Sequence, residues 1–340
     1  MNMSHASAAA RPRIGFAGVG WIGLNRLRAV AAAGVADIAC ITDSCNDAAR
    51  QAADFIETQA PEVQVVSSFD ELLAQELDGV VIATPSGLHA RQTTAALERG
   101  RAVFCQKPLA RTADEAARTI AVARSHNRLL AVDFCYRTVS GVSRLVQLAH
   151  SGALGEIFAA ELVFHNAYGP DKPWFYDLSQ SGGGCVMDLG IHLADLLLWV
   201  LDYPRIVEVR SRLHAAGKLL VKPTTGLEDH ALAEVQFDTG ATGRIACSWR
   251  LSAGRDAIIE AAFYGTRGAA VLRNVNGSFY EFIVEHCEGT ARHVLAAGPD
   301  DWGGRAVNSW ARQLALAPGF DGSALRLREV SALIDAIYGR

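Results

Sequence analysis

The chain has no basic run. Its 340 residues carry 32 Lys+Arg against 36 Asp+Glu, a formal net charge of −4, and no basic stretch is interleaved with aromatics. That argues against nucleic acid and against an anionic membrane surface as partners. Long apolar runs are missing too: none approaches the roughly 18 uninterrupted residues of a membrane span. The seven cysteines (Cys40, Cys45, Cys105, Cys135, Cys185, Cys247, Cys287) are odd in number and contain no C-x-x-C pair. A disulfide framework and a zinc site are therefore not expected, and no metal is assigned. Most of these cysteines stand inside apolar runs, as small core residues do, and a cytoplasmic, reducing location suits them. Residues 1–13 are small, polar and Ala-rich, with no apolar segment and no twin arginine. They read as a disordered lead-in rather than a signal peptide. No internal repeat or low-complexity linker breaks the remainder.

What is present begins with glycine. Ile14-Gly15-Phe16-Ala17 is a short apolar strand, Gly18-x-Gly20-x-x-Gly23 follows it, and Leu24 to Ala33 is helix-forming. Each glycine has a task if a dinucleotide binds here. Gly18 permits the tight turn, Gly20 lets the backbone approach a pyrophosphate, and Gly23 lets helix and strand pack closely. The N–H groups of the first helical turn, Trp21 and Ile22 among them, then face the phosphates with the positive end of the helix dipole. The next strand, Asp37 to Asp43, ends in a carboxylate about 20 residues past the turn, placed to accept ribose hydroxyls.

Strands and helices alternate from there to about residue 135, the pattern of a doubly wound parallel sheet in an α/β domain. Asn46 to Gln59 reads as a helix with Asn46 as N-cap. Gly79 to Thr84 is the continuous apolar run of a strand covered on both faces; a helix, His89 to Arg99, follows it. Ala102 to Cys105 is the fifth strand and Leu129 to Phe134 the sixth. Thr84, Pro85 and His89 follow the fourth strand, and Gln106-Lys107-Pro108 the fifth. Ligands bind at such carboxyl ends in open α/β sheets, so these residues join the glycine turn and Asp43 in one expected site.

Beyond Tyr136 the pattern changes to long two-periodic strands with glycine turns at Asp238-Thr239-Gly240 and Gly265-Thr266-Arg267-Gly268. An α+β second domain follows, with a large, mostly antiparallel open sheet and helices on one face. The uncovered face is expected to meet another copy of the chain, giving a homo-oligomer, a dimer or tetramer. The expected units are 1–136, 137–320 and a C-terminal helix, 321–340, packed back on the first domain. Within the second unit, Ser181-Gly182-Gly183-Gly184 opens an apolar helix in which Asp188, His192 and Asp195 recur at helical spacing. Polar residues in such a helix face partners or a cavity. Read alone, they fit either a site or an acid-stabilised helix start with a buried histidine one turn later.

Taken together, the glycine turn, Thr84-Pro85-x-x-x-His89, x-Lys107-Pro108, Ser181-Gly182-Gly183-Gly184…Asp188-x-x-x-His192-x-x-Asp195, Glu228-Asp229-His230 and Asp321 to Arg326 resemble one family. It is the Gfo/Idh/MocA family, typified by glucose–fructose oxidoreductase and inositol dehydrogenase. The resemblance runs from Ile14 to Tyr338. It implies a Rossmann domain binding a nicotinamide cofactor, sugar or polyol substrates, and Lys107, Asp188 and His192 as the catalytic set. Chemistry agrees: His192 can act as general base in oxidation or acid in reduction. Lys107 can donate to a developing alkoxide. Asp188 would hold a neighbouring hydroxyl or orient His192. The loop holding His165, Tyr168, Lys172, Trp174, Phe175, Tyr176 and Asp177 lines the substrate pocket in the family, with His165, Tyr168 and Trp174 the candidates here. Arg137 is a candidate for cofactor or substrate phosphate.

One departure stands out. The family usually has a glutamate before Lys-Pro, and here Gln106 takes its place, an amide that cannot supply opposite charge to Lys107. NAD is the favoured cofactor, because Asp43 would repel a 2′-phosphate and Ser44-Cys45-Asn46 offers no arginine. NADP stays open through Arg50, a helical turn further on. Two other activities also stay open: bond cleavage with transient oxidation by bound NAD, and a non-catalytic NAD-binding regulator.

Overall fold

The computed structural model describes residues 11–60, 62–221 and 226–340. Residues 1–10, read from the sequence as a lead-in, lie outside them, while Arg13 already belongs to the first strand. The first sheet is built from β1 (Arg13–Ala17), β2 (Asp37–Thr42), β3 (Gln64–Val65), β4 (Gly79–Ile82), β5 (Ala102–Cys105) and β6 (Leu130–Val132). Helices α1 (Trp21–Ala33), α2 (Asn46–Ile56), α3 (Phe69–Leu73), α4 (Ser86–Glu98) and α5 (Ala113–Ser125) connect them. All pairings are parallel and the order is β3-β2-β1-β4-β5-β6. That order reverses between β1 and β4, which places the ligand crevice over the glycine turn.

Local chemistry moves several boundaries. Asn46 is the first residue of α2, not its cap: Cys45 holds that position, and its N–H donates to Asp43 Oδ1 at 2.9 Å. Helix α4 starts at Ser86, because Pro85 with ψ 143° forms its N-cap, and so His89 lies inside the first turn. Thr112 and Ser68 cap α5 and α3 by accepting from Glu115 N and Glu71 N, each worth about 1 kcal/mol.

After α6 (Val142–His150), strand β7 (Ile157–Asn166) enters the second sheet. A short α7 (Leu178–Ser181), a π-turn over Val186–Gly190 and α8 (Ile191–Val200) follow. The remaining strands are β8 (Ile206–Ala215), β9 (Lys218–Leu219), β10 (His230–Phe237), β11 (Thr242–Ser248), β12 (Ala257–Gly265), β13 (Ala269–Asn274), β14 (Phe282–Glu288) and β15 (Ala291–Ala296). Among the described residues they form one nine-stranded sheet, in which only β7 and β11 pair in parallel. Both expected hairpins form. The edge strands β9 and β15 were not legible, since one is two residues long and the other is exposed along most of its length.

The run Leu178–Val200 is long and apolar enough, by length and composition, to cross a membrane, although Asp188, His192 and Asp195 interrupt its apolar residues as the sequence shows. The most apolar 18-residue window of these 23 residues has a mean hydropathy of 1.4, but 89 % of that window is buried. It is a core helix, broken near its start by glycines.

A correction concerns α9 (Arg305–Leu316), counted with the second unit from its place in the chain. Val307, Trp310 and Leu314 pack in the core of the first sheet with Ile14, Phe16, Val81 and Phe104. Trp310 is 2 % exposed and its ring lies 5.8 Å from that of Phe104. Burying a tryptophan removes about 150–250 Å², roughly 4–6 kcal/mol at 25 cal/mol/Å². Gly79 makes room for it: a Cβ there would come within 2.8 Å of both Trp310 and Leu314. The last helix, α10 (Arg326–Tyr338), spans both units. Asp335 accepts from Ala113 N at 2.7 Å, on the first domain, while Tyr338 donates to Glu228 in the second at 2.8 Å.

Candidate active site

The glycine turn has the shape its sequence predicts. Gly18 has φ +87°, and a Cβ on it would fall 2.6 Å from the Ala83 carbonyl. A Cβ on Gly23 would fall 2.1 Å from Gly18 O, so the helix could not seat. At Gly20 nothing lies within 4 Å, which leaves an open cradle beside the backbone. Helix α1 has Gly20 at its N-cap and no side-chain cap, so the first-turn N–H groups of Trp21, Ile22 and Gly23 are not taken by a capping side chain. Asp43 holds the turn in place: its Oδ2 accepts from Val19 N at 2.8 Å. Open cradle, uncapped N-terminus and acid at the end of β2 together fit a dinucleotide.

Thr84 and His89 serve the neighbouring loops. Thr84 Oγ1 donates to Gln92 Oε1 at 2.6 Å. His89 is fully buried, with Nδ1 2.6 Å from Pro108 O and Nε2 2.7 Å from Thr84 O. It clamps the loop after β4 to the loop after β5. Burial, opposed by these carbonyls, lowers its pKa.

Gln106 departs from expectation. It does not face Lys107; its amide donates to Asp133 Oδ2, which also accepts from Arg26 Nε at 2.6 Å. All three side chains are buried.

Lys107 reaches across the domain junction. Its Nζ lies 2.7 Å from both Oδ1 and the main-chain oxygen of Asp188. The other carboxylate oxygen of Asp188 accepts from Trp249 Nε1 at 3.0 Å. Both oxygens are thus engaged, and Asp188 orients Lys107 rather than His192. Asp188 sits in the π-turn, where the widened coil exposes main-chain oxygens that a regular helix would use, a feature frequent at functional sites. Glu228 seats that turn. Its Oε2 accepts from Gly184 N at 3.1 Å and its Oε1 from Val186 N at 2.9 Å. Burial raises the Glu228 pKa against these bonds.

His192 is 8 % exposed, and its Nδ1 is buried without a partner among the described residues. Tyr136 packs edge-on against the ring, 5.0 Å between centroids. Burial first, then the cations Lys107 and Arg26, hold its pKa well below the usual histidine range. A neutral imidazole beside an ammonium is a proton acceptor.

Two expected site residues are placed elsewhere. Arg137 donates through Nε to Asp195 Oδ2 at 2.8 Å, and its Nη2 donates to Asp195 Oδ1 at 2.5 Å and to the Tyr203 hydroxyl at 2.7 Å. The fork is spent on a carboxylate that is 1 % exposed, since a buried charge demands a partner. His165 lies on the sheet face opposite Phe164, because successive strand residues alternate. Its Nδ1 is 2.8 Å from Ser248 Oγ and its ring stacks on His230; burial, then His230, lowers its pKa to about 4.

The aromatic loop does adjoin the site. Trp174 stacks on Phe175 at 3.8 Å, and Phe175 and Tyr176 stand edge-on to Trp249, the partner of Asp188. Tyr168 is 56 % exposed and donates to Asp256 Oδ1 at 2.6 Å. Trp249, Arg26 and Asp133 were not singled out from the sequence. A tryptophan closing a strand after Glu228-Asp229-His230 and an aspartate closing β6 were the available signals.

Known proteins agree with this architecture. Residues 12–134 match the model of an oxidoreductase family with an NAD-binding Rossmann fold, and residues 142–271 match the GFO/IDH/MocA C-terminal domain. The chain belongs to this oxidoreductase family, and its first domain is an NAD-binding Rossmann domain. It is 31 % identical over 216 residues to 1,5-anhydro-D-fructose reductase of Ensifer adhaerens, over 62 % of this chain and 61 % of that protein. To D-glucoside 3-dehydrogenase of Escherichia coli K12 it is 29 % identical over 213 residues, 59 % of this chain and 60 % of the relative. The matched stretches thus span about 60 % of those relatives' length. Levoglucosan dehydrogenase in complex with NADH and L-sorbose superposes with a TM-score of 0.81 at 21 % identity, covering 96 % of each chain. GenD2 from gentamicin A biosynthesis, in complex with NAD, gives 0.80 at 21 %, covering 100 % of this chain and 97 % of the other. At that identity the likeness is one of fold.

Proposed function

We propose that the protein transfers a hydride between NAD and the carbinol or carbonyl carbon of a sugar, polyol or sugar derivative. The observation that carries this is the meeting of Lys107 with Asp188, 2.7 Å apart, beside His192. They lie at the carboxyl end of the parallel sheet that carries the glycine turn. NAD, when bound, accepts or supplies the hydride. In oxidation His192 takes the hydroxyl proton; with Nδ1 sealed, Nε2 is the exchanging atom. Lys107, held by Asp188, donates to the oxygen as it gains alkoxide character. Trp174, Phe175, Tyr176 and Trp249 offer aromatic faces to a sugar ring, and Tyr168 lies at the rim. The named relatives, a reductase and a dehydrogenase of sugar derivatives, support the substrate class. The test is reduced-nicotinamide absorbance with a panel of sugars, polyols and their keto forms. No redox change with any of them would refute the reading.

Cofactor preference follows from Asp43. NAD(H) binds more tightly than NADP(H), and Asp43→Ala narrows the difference by about tenfold, the equivalent of one lost charge–charge contact of roughly 1.4 kcal/mol. Because Asp43 also holds Val19 N, the variant weakens both dinucleotides somewhat. Calorimetry that finds NADP(H) the tighter ligand of the parent protein rejects the assignment.

The open face of the second sheet carries Glu161 and Val163 of β7, Arg244 of β11 and Glu260 of β12, while Leu162, Ile245 and Ala261 are buried beneath. We assign this face to self-association as a dimer or tetramer. Val163→Arg then yields a folded monomer in light scattering; an unchanged oligomer, or a parent that is itself monomeric, defeats the assignment.

A further inference from the structure

Three buried side chains join the ends of separate elements next to the proposed site. Gln106 is 6 % exposed and closes β5; Asp133 is 1 % exposed and closes β6; Arg26 is 3 % exposed on α1, the helix that leaves the glycine turn. One oxygen, Asp133 Oδ2, accepts from both Arg26 Nε and the Gln106 amide. Asp133 Oδ1 is buried with no partner among the described residues. The main chain fixes the same two strand ends, since Asp133 N donates to Cys105 O at 2.9 Å and Gln106 N to Ile82 O at 2.8 Å.

A buried carboxylate needs a compensating charge and further donors. Arg26 supplies the charge and Gln106 the neutral donor. An acid at position 106 would set two carboxylates against one guanidinium, and two such groups at contact distance cannot both ionise. The amide before Lys107 is therefore the complement of the acid at 133. Gln106 directly precedes Lys107 in the chain, so the bond to Asp133 fixes the main chain at the root of the side chain that reaches Asp188.

We propose that Asp133 is a positioning residue for Lys107, acting through Gln106, and that the acid of this site stands at the end of β6 instead of before the lysine. The inference rests on the proposed role of Lys107.

The experiment compares Gln106→Glu, Asp133→Asn and the combined variant with the parent, by melting temperature, NADH binding and the pH profile of turnover. Gln106→Glu loses about tenfold or more in kcat at neutral and alkaline pH. It recovers as the pH falls and the carboxyl pair takes up a proton. Asp133→Asn leaves Arg26 uncompensated and loses a similar factor. The combined variant keeps one acid, one amide and one guanidinium in the cluster, and returns to within about threefold of the parent with its pH profile, the signature of coupled neighbours. Gln106→Glu with an unchanged profile overturns the proposal, and so do losses that simply multiply in the combined variant. Should a single variant fail to fold, folding of the combined one supports the proposal and its failure refutes it. A fully active Lys107→Ala would instead sink the catalytic reading, and the melting pattern of the Asp133 variants would be untouched by that result.

Discussion

Lys107→Ala and His192→Ala are each expected to lower turnover by about 10²–10⁴-fold, the usual loss when a positioned acid–base group is removed. Dinucleotide affinity should hardly change, because the phosphate cradle at Gly18, Gly20 and Gly23 is built by α1 and β1. Groups that act on one oxygen as a unit are not additive, so the double variant is scarcely worse than the poorer single one. The pH dependence supplies a separate check. His192 is held below the ordinary histidine value by burial, then by Lys107 and Arg26. It therefore stays a neutral base as the pH falls past about 6.5, and the acid limb of oxidation lies below that point. The linked effect on stability has the same sign: the folded state binds this proton less readily than the unfolded one. No cost appears above about pH 6.5, and stability declines as pH falls below it. His192→Ala should flatten that decline. A destabilised His192→Ala protein with full turnover would remove His192 from the chemistry.

The strongest local patterns were legible. The glycine turn, the fully apolar strands β4 and β5 and the two glycine hairpins all form where periodicity and turn chemistry put them. What was hidden depends on chain-distant partners. Asp188 and His192 could be placed on a helix, but the partner of Asp188 is Trp249, 61 residues away. Nothing in the local spacing of Asp188 announces a π-turn, because that turn is set by Glu228 and by glycines too tightly packed to carry a side chain. A Cβ on Gly184 would stand 2.0 Å from Glu228 O. The amphipathic pattern of α9 showed a buried face without showing which sheet it covers, and Trp310 fills a gap left by Gly79. For His165, strand alternation fixes that it opposes Phe164, but which face is the inner one is decided by where Tyr136 packs. Gln106 is the sharpest instance. The sequence shows an amide in an acid's place, and only the fold brings Asp133 and Arg26 to it.

Arg137 is a cofactor candidate by sequence, and the fold gives it to Asp195. Arg137→Ala is expected to destabilise the protein by about 3–5 kcal/mol, the usual cost of leaving one charge of a buried pair alone. Asp195 is 1 % exposed, and burial already raises its pKa against the pull of Arg137. Without the guanidinium, Asp195 takes up a proton more readily, so the loss is largest at alkaline pH and smaller at acid pH. Some packing is lost as well, because the guanidinium lies 4.8 Å over the Trp199 ring. Removing both charges is gentler. Replacing Arg137 by Met together with Asp195 by Leu leaves no buried charge, and replacements of this kind are often neutral or stabilising. In both variants the folded fraction should bind NADH within about threefold of the parent, less than the tenfold that 1.4 kcal/mol represents. Chemical denaturation and NADH titration read the two quantities separately. A variant of unchanged stability with NADH affinity reduced tenfold or more would return Arg137 to the cofactor and refute the structural assignment.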